Sequence, residues 1–211
     1  RHSFPTRRSS DLGCSIQPPE VVGGKAHNLM KLRHRGVPVP NAFVISTDVS
    51  LMPEVELGGF KPNSVFLTEV KAFTRWIGVQ SSKQWAGDQY SGKYDTPLLV
   101  SVRSGAPVSM PGMMDTVLNV GLTSENIETF ENKVFALDAY RRLIQMYAST
   151  VCGVKTDEFR EIHDAAGIFF LERNEVAARL VVKRYLEVFK REVGEDFPDD
   201  ANTQLFESIN A

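Results

Sequence analysis

A mixed α/β chain, strand-bearing in its first 122 residues and mainly helical after Ser124, is what the sequence predicts. Short apolar runs of strand length occur at Phe43–Ile45, 97–103 and 117–120, with Pro, Gly, Ser or Thr beside them. Long stripes at helical spacing occupy residues 135–147 and the stretch after Asn174. A length of 211 residues suffices for one large domain or two small ones with a real core.

The first twelve residues stand apart. RHSFPTRRSSDL is basic and serine-rich but has no apolar centre, so it is not a secretory signal. From His2 to Leu12 it resembles the in-frame translation of a common sequencing-library adapter. Residues 1–12 are therefore set aside as an artefact, and the true N-terminus is expected to be missing.

From Val21 onward the elements read in order. Val21-Val22-Gly23-Gly24-Lys25 leads into a short helix with Ala26, Leu29 and Met30 at helical spacing, ended by Gly36 and Pro38. Phe43-Val44-Ile45 is a strand. Residues 48–66 carry Pro53, Gly58-Gly59 and Pro62 and read as loop. Thr68 is the expected cap of a helix that puts Val70, Phe73 and Ile77 on one face. The polar stretch 78–96 reads as loop, 97–103 as one strand, 104–114 as an ordered loop and 117–120 as a returning strand.

After Ser124, Leu137, Tyr140, Ile144 and Tyr147 form one helical stripe. Thr156 is placed to cap residues 157–163. Asn174 starts the longest helix, with Ala177, Leu180, Val181, Tyr185, Val188 and Phe189 along one side and Gly194 beyond its end. A last helix begins within residues 199–211 and runs into the end of the sequence, so truncation of a longer protein is expected. The expected domains are 13–122, a helical subdomain 123–198 and the start of a further helix at 199–211.

Composition excludes several functions. Lys and Arg total 24 against 26 Asp and Glu, a net charge of −2, which argues against binding nucleic acid by phosphate neutralisation. Two cysteines, Cys14 and Cys152, without CxxC spacing, fit a reducing cytoplasm rather than a disulfide framework. No apolar run approaches the roughly 20 residues of a membrane span, and the four histidines show no metal-ligand spacing.

Two segments carry residues that packing alone does not require. Gly23-Gly24-Lys25 opens a helix, where paired glycines admit a ligand, first-turn amides favour an anion, and a lysine adds a mobile charge. The spacing is not that of a P-loop, and a tight turn with a solvated lysine would look the same. The second segment, Val100 to Thr116, puts Arg103 at the end of an apolar strand, where a guanidinium fork suits phosphate oxygens. Ser104, Ser109 and Thr116 add hydroxyls, and Gly105 and Gly112 allow backbone approach. The plain alternative is an arginine paired with Asp115 and methionines, Met110 among them, filling a core gap.

PLLVSVRSGAPVSMPGMMDTVLNVGL, residues 97–122, resembles the N-terminal nucleotide-binding domain of the pyruvate, phosphate dikinase family. GGKAHNLMKLRHRGVPVP, AYRRLIQMY and EDFPDD are similar to further family segments in the right order. The resemblance implies an ATP-grasp-type first lobe followed by the helical subdomain. It implies that Lys25 and Arg103 contact the ATP phosphates as catalytic cations. Gly23, Gly24, Ser104, Gly105, Met110, Gly112, Asp115 and Thr116 would line the nucleotide. The magnesium that accompanies ATP would be held by acidic residues of the domain's other half. Phosphohistidine and pyruvate/phosphoenolpyruvate domains of the parent chain are the implied partners, with no nucleic acid and no membrane.

Ala26-His27 and residues 48–95 depart from the family pattern. A related water dikinase or antibiotic phosphotransferase is disfavoured by SMPGMMDT, since those enzymes carry a more acidic loop. A non-catalytic binding module is disfavoured by retention of Lys25 and Arg103. His27 reads as solvated, His163 as structural or exposed, Cys152 as a small hydrophobe, Tyr140 and Tyr147 as core, and Arg141-Arg142 as a solvated face.

Overall fold

The computed structural model describes residues 9–11, 15–47, 49, 65–80, 83–85, 97–105, 116–167 and 174–211. They fall into two compact units, one of residues 1–81 with 103–115, the other of residues 82–102 with 116–211. The chain thus crosses between units at residues 81, 102 and 115.

In the first unit, β1 (Ser9–Asp11) pairs antiparallel with β2 (Phe43–Ile45), Ser10 opposite Val44. Three residues of the segment set aside at the N-terminus thus stand in a strand, for which extended backbone alone suffices. Helix α1 (Pro19–Val22) begins with proline at its first position, where a missing N–H costs nothing. Gly23 (φ 79°, ψ 155°) breaks the chain direction, and α2 (Gly24–His34) follows.

Val22 and Met30 are buried, and Val21, Ala26, Leu29, Val39, Ala42 and Val44 pack around them. The Thr47 hydroxyl donates to the Glu20 carbonyl at 2.7 Å, tying the end of the β2 segment to α1. Helix α3 (Val65–Gln80) buries Phe66, Leu67, Val70, Phe73 and Ile77, and Phe43 stacks on Phe73 at 5.0 Å. Thr68 lies inside this helix rather than capping it, because Phe66 and Leu67 are themselves buried on it.

In the second unit, the stretch expected as loop contains β3 (Gln84–Trp85), parallel to β4 (Pro97–Leu98). Trp85 is only 1% exposed, and its indole N–H donates to Asn202 Oδ1 at 3.0 Å. The single strand expected at 97–103 breaks at Leu99. Its second part, β5 (Val100–Arg103), pairs instead with β6 (Thr116–Val120).

Caps organise the helices that follow. Thr123 and Asn126 form a reciprocal capping box at α4 (Ser124–Ile127). Asn132 caps α5 (Lys133–Thr150), Asn174 caps α7 (Glu175–Val193) and Asp200 caps α8 (Ala201–Asn210), each side chain accepting an amide three residues on. Thr156 occupies the cap position of α6 (Asp157–Ala166) without a side-chain cap bond. Gly194 adopts the left-handed conformation that ends α7.

Helices α5 and α7 pack along their length, with Leu137, Tyr140, Ile144 and Tyr147 facing inward as their spacing predicts. Phe197 packs its ring against Tyr140, Tyr147 and Phe189, and Tyr147 also meets Phe189, with centroids 5.3–6.2 Å apart. Leu180, expected in the α7 stripe, is 56% exposed; the buried face runs through Ala177, Ala178, Val181, Val182, Tyr185, Val188 and Phe189.

Arg141 is likewise no part of a solvated face. It is buried, bonds Asp138 through Nε and Nη2, and donates from Nη1 to the Tyr185 hydroxyl, which itself donates to the Phe159 carbonyl. Burial and the Asp199 and Glu207 carboxylates hold the Tyr140 and Tyr147 hydroxyls well above the usual tyrosine range, so both are protonated donors.

Candidate functional site

The candidate site is built where α2 starts. Met30, fully buried, and Val22, 5% exposed, clamp both sides of the Gly23 turn to the core of the first unit. Gly23 donates its amide to the Pro19 carbonyl at 2.8 Å, and its carbonyl accepts from His27 N at 3.0 Å. The His27 ring bonds the Gln17 carbonyl through Nδ1 at 2.7 Å. Because that partner only accepts, Nδ1 carries the proton. His27 therefore ties the incoming chain to the first turn of α2, a structural task rather than the solvated one its position suggests.

The start of α2 differs electrostatically from those of α5, α7 and α8. Glycine at the cap has no side chain to accept from the first-turn amides, and the first turn contains no acidic residue. Helices α5, α7 and α8 meet that need with Asn132, Asn174 and Asp200. The first-turn amides of α2 thus keep the partial positive charge that favours an anion. Lys25, half-buried on that turn, adds a full charge.

The second segment arrives from 80 residues further on. Arg103 ends β5, with Ser104 and Gly105 following in non-regular backbone. Gly105 lies directly against Gly23: a Cβ on Gly23 would sit 3.1 Å from the Cα and carbonyl carbon of Gly105. A Cβ on Gly105 would meet the Val22 carbonyl oxygen at 3.7 Å and Gly23 Cα at 3.8 Å. The positive φ of Gly23 and this approach both require glycine there.

Lys25 and Arg103 are each two residues from that contact, so each Cα lies within about 7 Å of it along the chain. Among the described residues neither cation has an acidic partner within ion-pair distance. Arg103, Ser104 and Gly105 are exposed. The structure therefore brings Gly23, Gly24, Lys25, Arg103, Ser104 and Gly105 together in the first unit. Thr116, half-buried, opens β6 in the second unit. Met110, Gly112 and Asp115 lie outside the described residues, as does the rest of the methionine-bearing loop. Among the described residues no three His, Cys, Asp or Glu side chains converge as a metal site would need, and no helix is long and apolar enough to cross a membrane.

Sequence reading missed the set formed by buried Arg141 and Tyr185 with half-exposed Asp138 in the second unit. The Asp138–Arg141 and Asp138–Arg142 spacings of three and four residues on one helix were the available signal.

No family model matches the chain. Comparison with curated proteins finds the pyruvate, phosphate dikinase of Clostridium symbiosum, 33% identical over 201 residues, covering 90% of this chain and 22% of that protein. That of Rhizobium meliloti (strain 1021) is 34% identical over 206 residues, covering 93% and 22%. The chloroplastic pyruvate, phosphate dikinase of Flaveria pringlei is 34% identical over 200 residues, covering 90% and 20%. Pyruvate, phosphate dikinases are thus homologues over about 90% of this chain, as the motif at residues 97–122 implied. The chain spans about a fifth of the length of these relatives.

Proposed function

We propose that this chain is the N-terminal ATP-binding part of a pyruvate, phosphate dikinase and that its α2 turn and β5 end hold the nucleotide's phosphates. The single observation that carries the reading is the backbone contact of Gly23 with Gly105. It gathers two cations and a set of uncapped amides from segments about 80 residues apart. The homology over about 90% of the chain supports the same reading.

The residues present suit a polyphosphate. First-turn amides of α2 and the backbone at Gly105 approach without Cβ obstruction, and the Ser104 hydroxyl stands beside Arg103. Phosphoryl transfer asks little covalent chemistry of the protein; it needs positioning and charge stabilisation on the transferring oxygens. Lys25 would act as a point charge on the phosphates and Arg103 as a directional fork. Met110, Gly112 and Asp115 would complete the nucleotide's lining. Magnesium, which neutralises phosphate charge when bound, would be held by acidic residues of the parent beyond this chain.

The lobe would be of ATP-grasp type. The parent reaction would convert ATP, phosphate and pyruvate to AMP, pyrophosphate and phosphoenolpyruvate, in the cytoplasm unless an organellar leader precedes it. Its phosphohistidine and pyruvate-binding domains would lie elsewhere in the parent, so this chain by itself would not turn over.

In the full-length parent enzyme, Arg103→Ala is expected to lower ATP-dependent phosphoryl transfer by about a hundred- to a thousandfold, the scale for removing one pre-organised donor. Exchange between phosphoenolpyruvate and pyruvate, which does not use ATP, should keep its rate. Isotope exchange measured for each half-reaction decides; equal loss of both halves would overturn the assigned role.

A further inference from the structure

The second unit holds a cleft of about 460 Å³ between α5, α6 and α7, a volume in the range of small-molecule sites. Its apolar wall comprises Val134, Phe135 and Leu137 of α5 with Ala178 and Val181 of α7; its polar side comprises Asp138, Arg141, Arg142 and His163. Phe135 is 63% exposed in the first turn of α5, directly before the buried Ala136 and Leu137. An aromatic ring in that position covers nothing the fold itself needs covered.

The charges in the cleft do not cancel. Arg141 spends its donors inside the fold, Nε and Nη2 on Asp138 and Nη1 on the Tyr185 hydroxyl. Asp138 Oδ2 also forms an ion pair with Arg142 Nε at 2.8 Å, so one carboxylate is shared by two guanidinium groups. Arg142 is 62% exposed, and among the described residues only its Nε is engaged. Its two terminal amines, oriented by Asp138, thus form a pre-aimed donor edge at the rim of the apolar wall. His163 lines the same side, its Nδ1 3.3 Å from Asp164 Oδ1. Among the side chains that line the cleft, two guanidinium groups face one carboxylate, and the Asp164 carboxylate beside His163 stays 80% exposed outside the lining.

We propose that this cleft binds a small monoanion with an apolar body, a carboxylate or sulfonate whose head meets the Arg142 terminal amines and whose tail lies on Phe135, Val134 and Val181. Arg141 is the buried support that fixes Asp138, and through it Arg142, rather than a contact of the ligand. All the residues involved belong to the second unit, so the site does not depend on the phosphate-binding reading of the first.

The test uses the 211-residue chain and 8-anilinonaphthalene-1-sulfonate as fluorescent probe, displaced by octanoate or by its neutral analogue octanamide. The expected result is saturable binding of one probe per chain, displaced by octanoate and not by octanamide. Arg142→Gln should weaken it about tenfold, the loss of one charge-assisted contact, and Phe135→Ser should weaken it too. Both substitutions fall on exposed side chains, and near-ultraviolet circular dichroism checks that packing is kept. Unsaturable binding, equal displacement by octanamide, or unchanged affinity in either variant would overturn the proposal.

Discussion

Gly121→Ala is expected to destabilise the second unit by about 3–5 kcal/mol, a large share of the roughly 5–15 kcal/mol that holds a typical domain together. Gly121 follows β6 with φ 104°, a conformation that costs any other residue backbone strain. A Cβ there would also lie 2.8 Å from the Trp85 ring and 3.0 Å from the Leu98 carbonyl oxygen. Neither neighbour can yield cheaply. Trp85 is 1% exposed and anchored through its N–H to Asn202, and Leu98 belongs to β4. Overpacking and a forbidden φ therefore add at one position. Urea unfolding followed by tryptophan fluorescence should show the midpoint falling by the equivalent of about 3–5 kcal/mol. A midpoint shift worth less than about 1 kcal/mol would show that the β6 turn relaxes freely.

Gln204→Leu, the second large effect, replaces a fully buried amide by a side chain of similar size that can make no hydrogen bond. Gln204 Oε1 accepts from Gly121 N at 3.0 Å, while Nε2 donates to the Leu122 carbonyl at 3.0 Å and the Pro198 carbonyl at 2.9 Å. One side chain of α8 thus serves three backbone groups of two separate loops. Removing it leaves those groups without partners in a dry site, at about 1–3 kcal/mol for each buried group that finds no replacement. The expected total is about 3 kcal/mol, because relaxation or a water recovers part of it. Thermal unfolding measures it; an unchanged or raised melting temperature would mean that these bonds contribute nothing net.

How far the sequence disclosed this architecture depends on the range of the interactions concerned. Helix α2 was legible because its start, stripe and stop signals all lie within 16 residues. Asn174 as a cap and Gly194 as a stop were legible for the same reason. Strand β3 was not, since a two-residue strand has no periodicity, and Trp85 is buried by partners at Leu98, Gly121 and Asn202 that local pattern cannot indicate. Arg141 was misjudged because a buried arginine depends on a hydroxyl 44 residues away, at Tyr185. Leu180 was misplaced because α7 packs on α5 along one narrow face, leaving a residue at the edge of the apolar stripe outside it.

The candidate phosphate site shows the same division. Lys25 and Arg103 were singled out by local chemistry and by resemblance, but their proximity rests on the Gly23–Gly105 approach, a tertiary contact. From sequence, Gly23 was explained as room for a ligand or a tight turn, and Gly105 as room for backbone approach. The structure adds that each glycine makes room for the other.

The central claim, that Lys25 and Arg103 serve one polyphosphate, is tested most directly by ATP titration of four forms of this chain: unaltered, Lys25→Ala, Arg103→Ala and both together. Each single substitution is expected to weaken ATP about ten- to a hundredfold, and the double loss should fall short of the product by a coupling of about 0.5 kcal/mol or more. Four indistinguishable titrations, absence of binding included, or losses that simply multiply, would contradict a shared site.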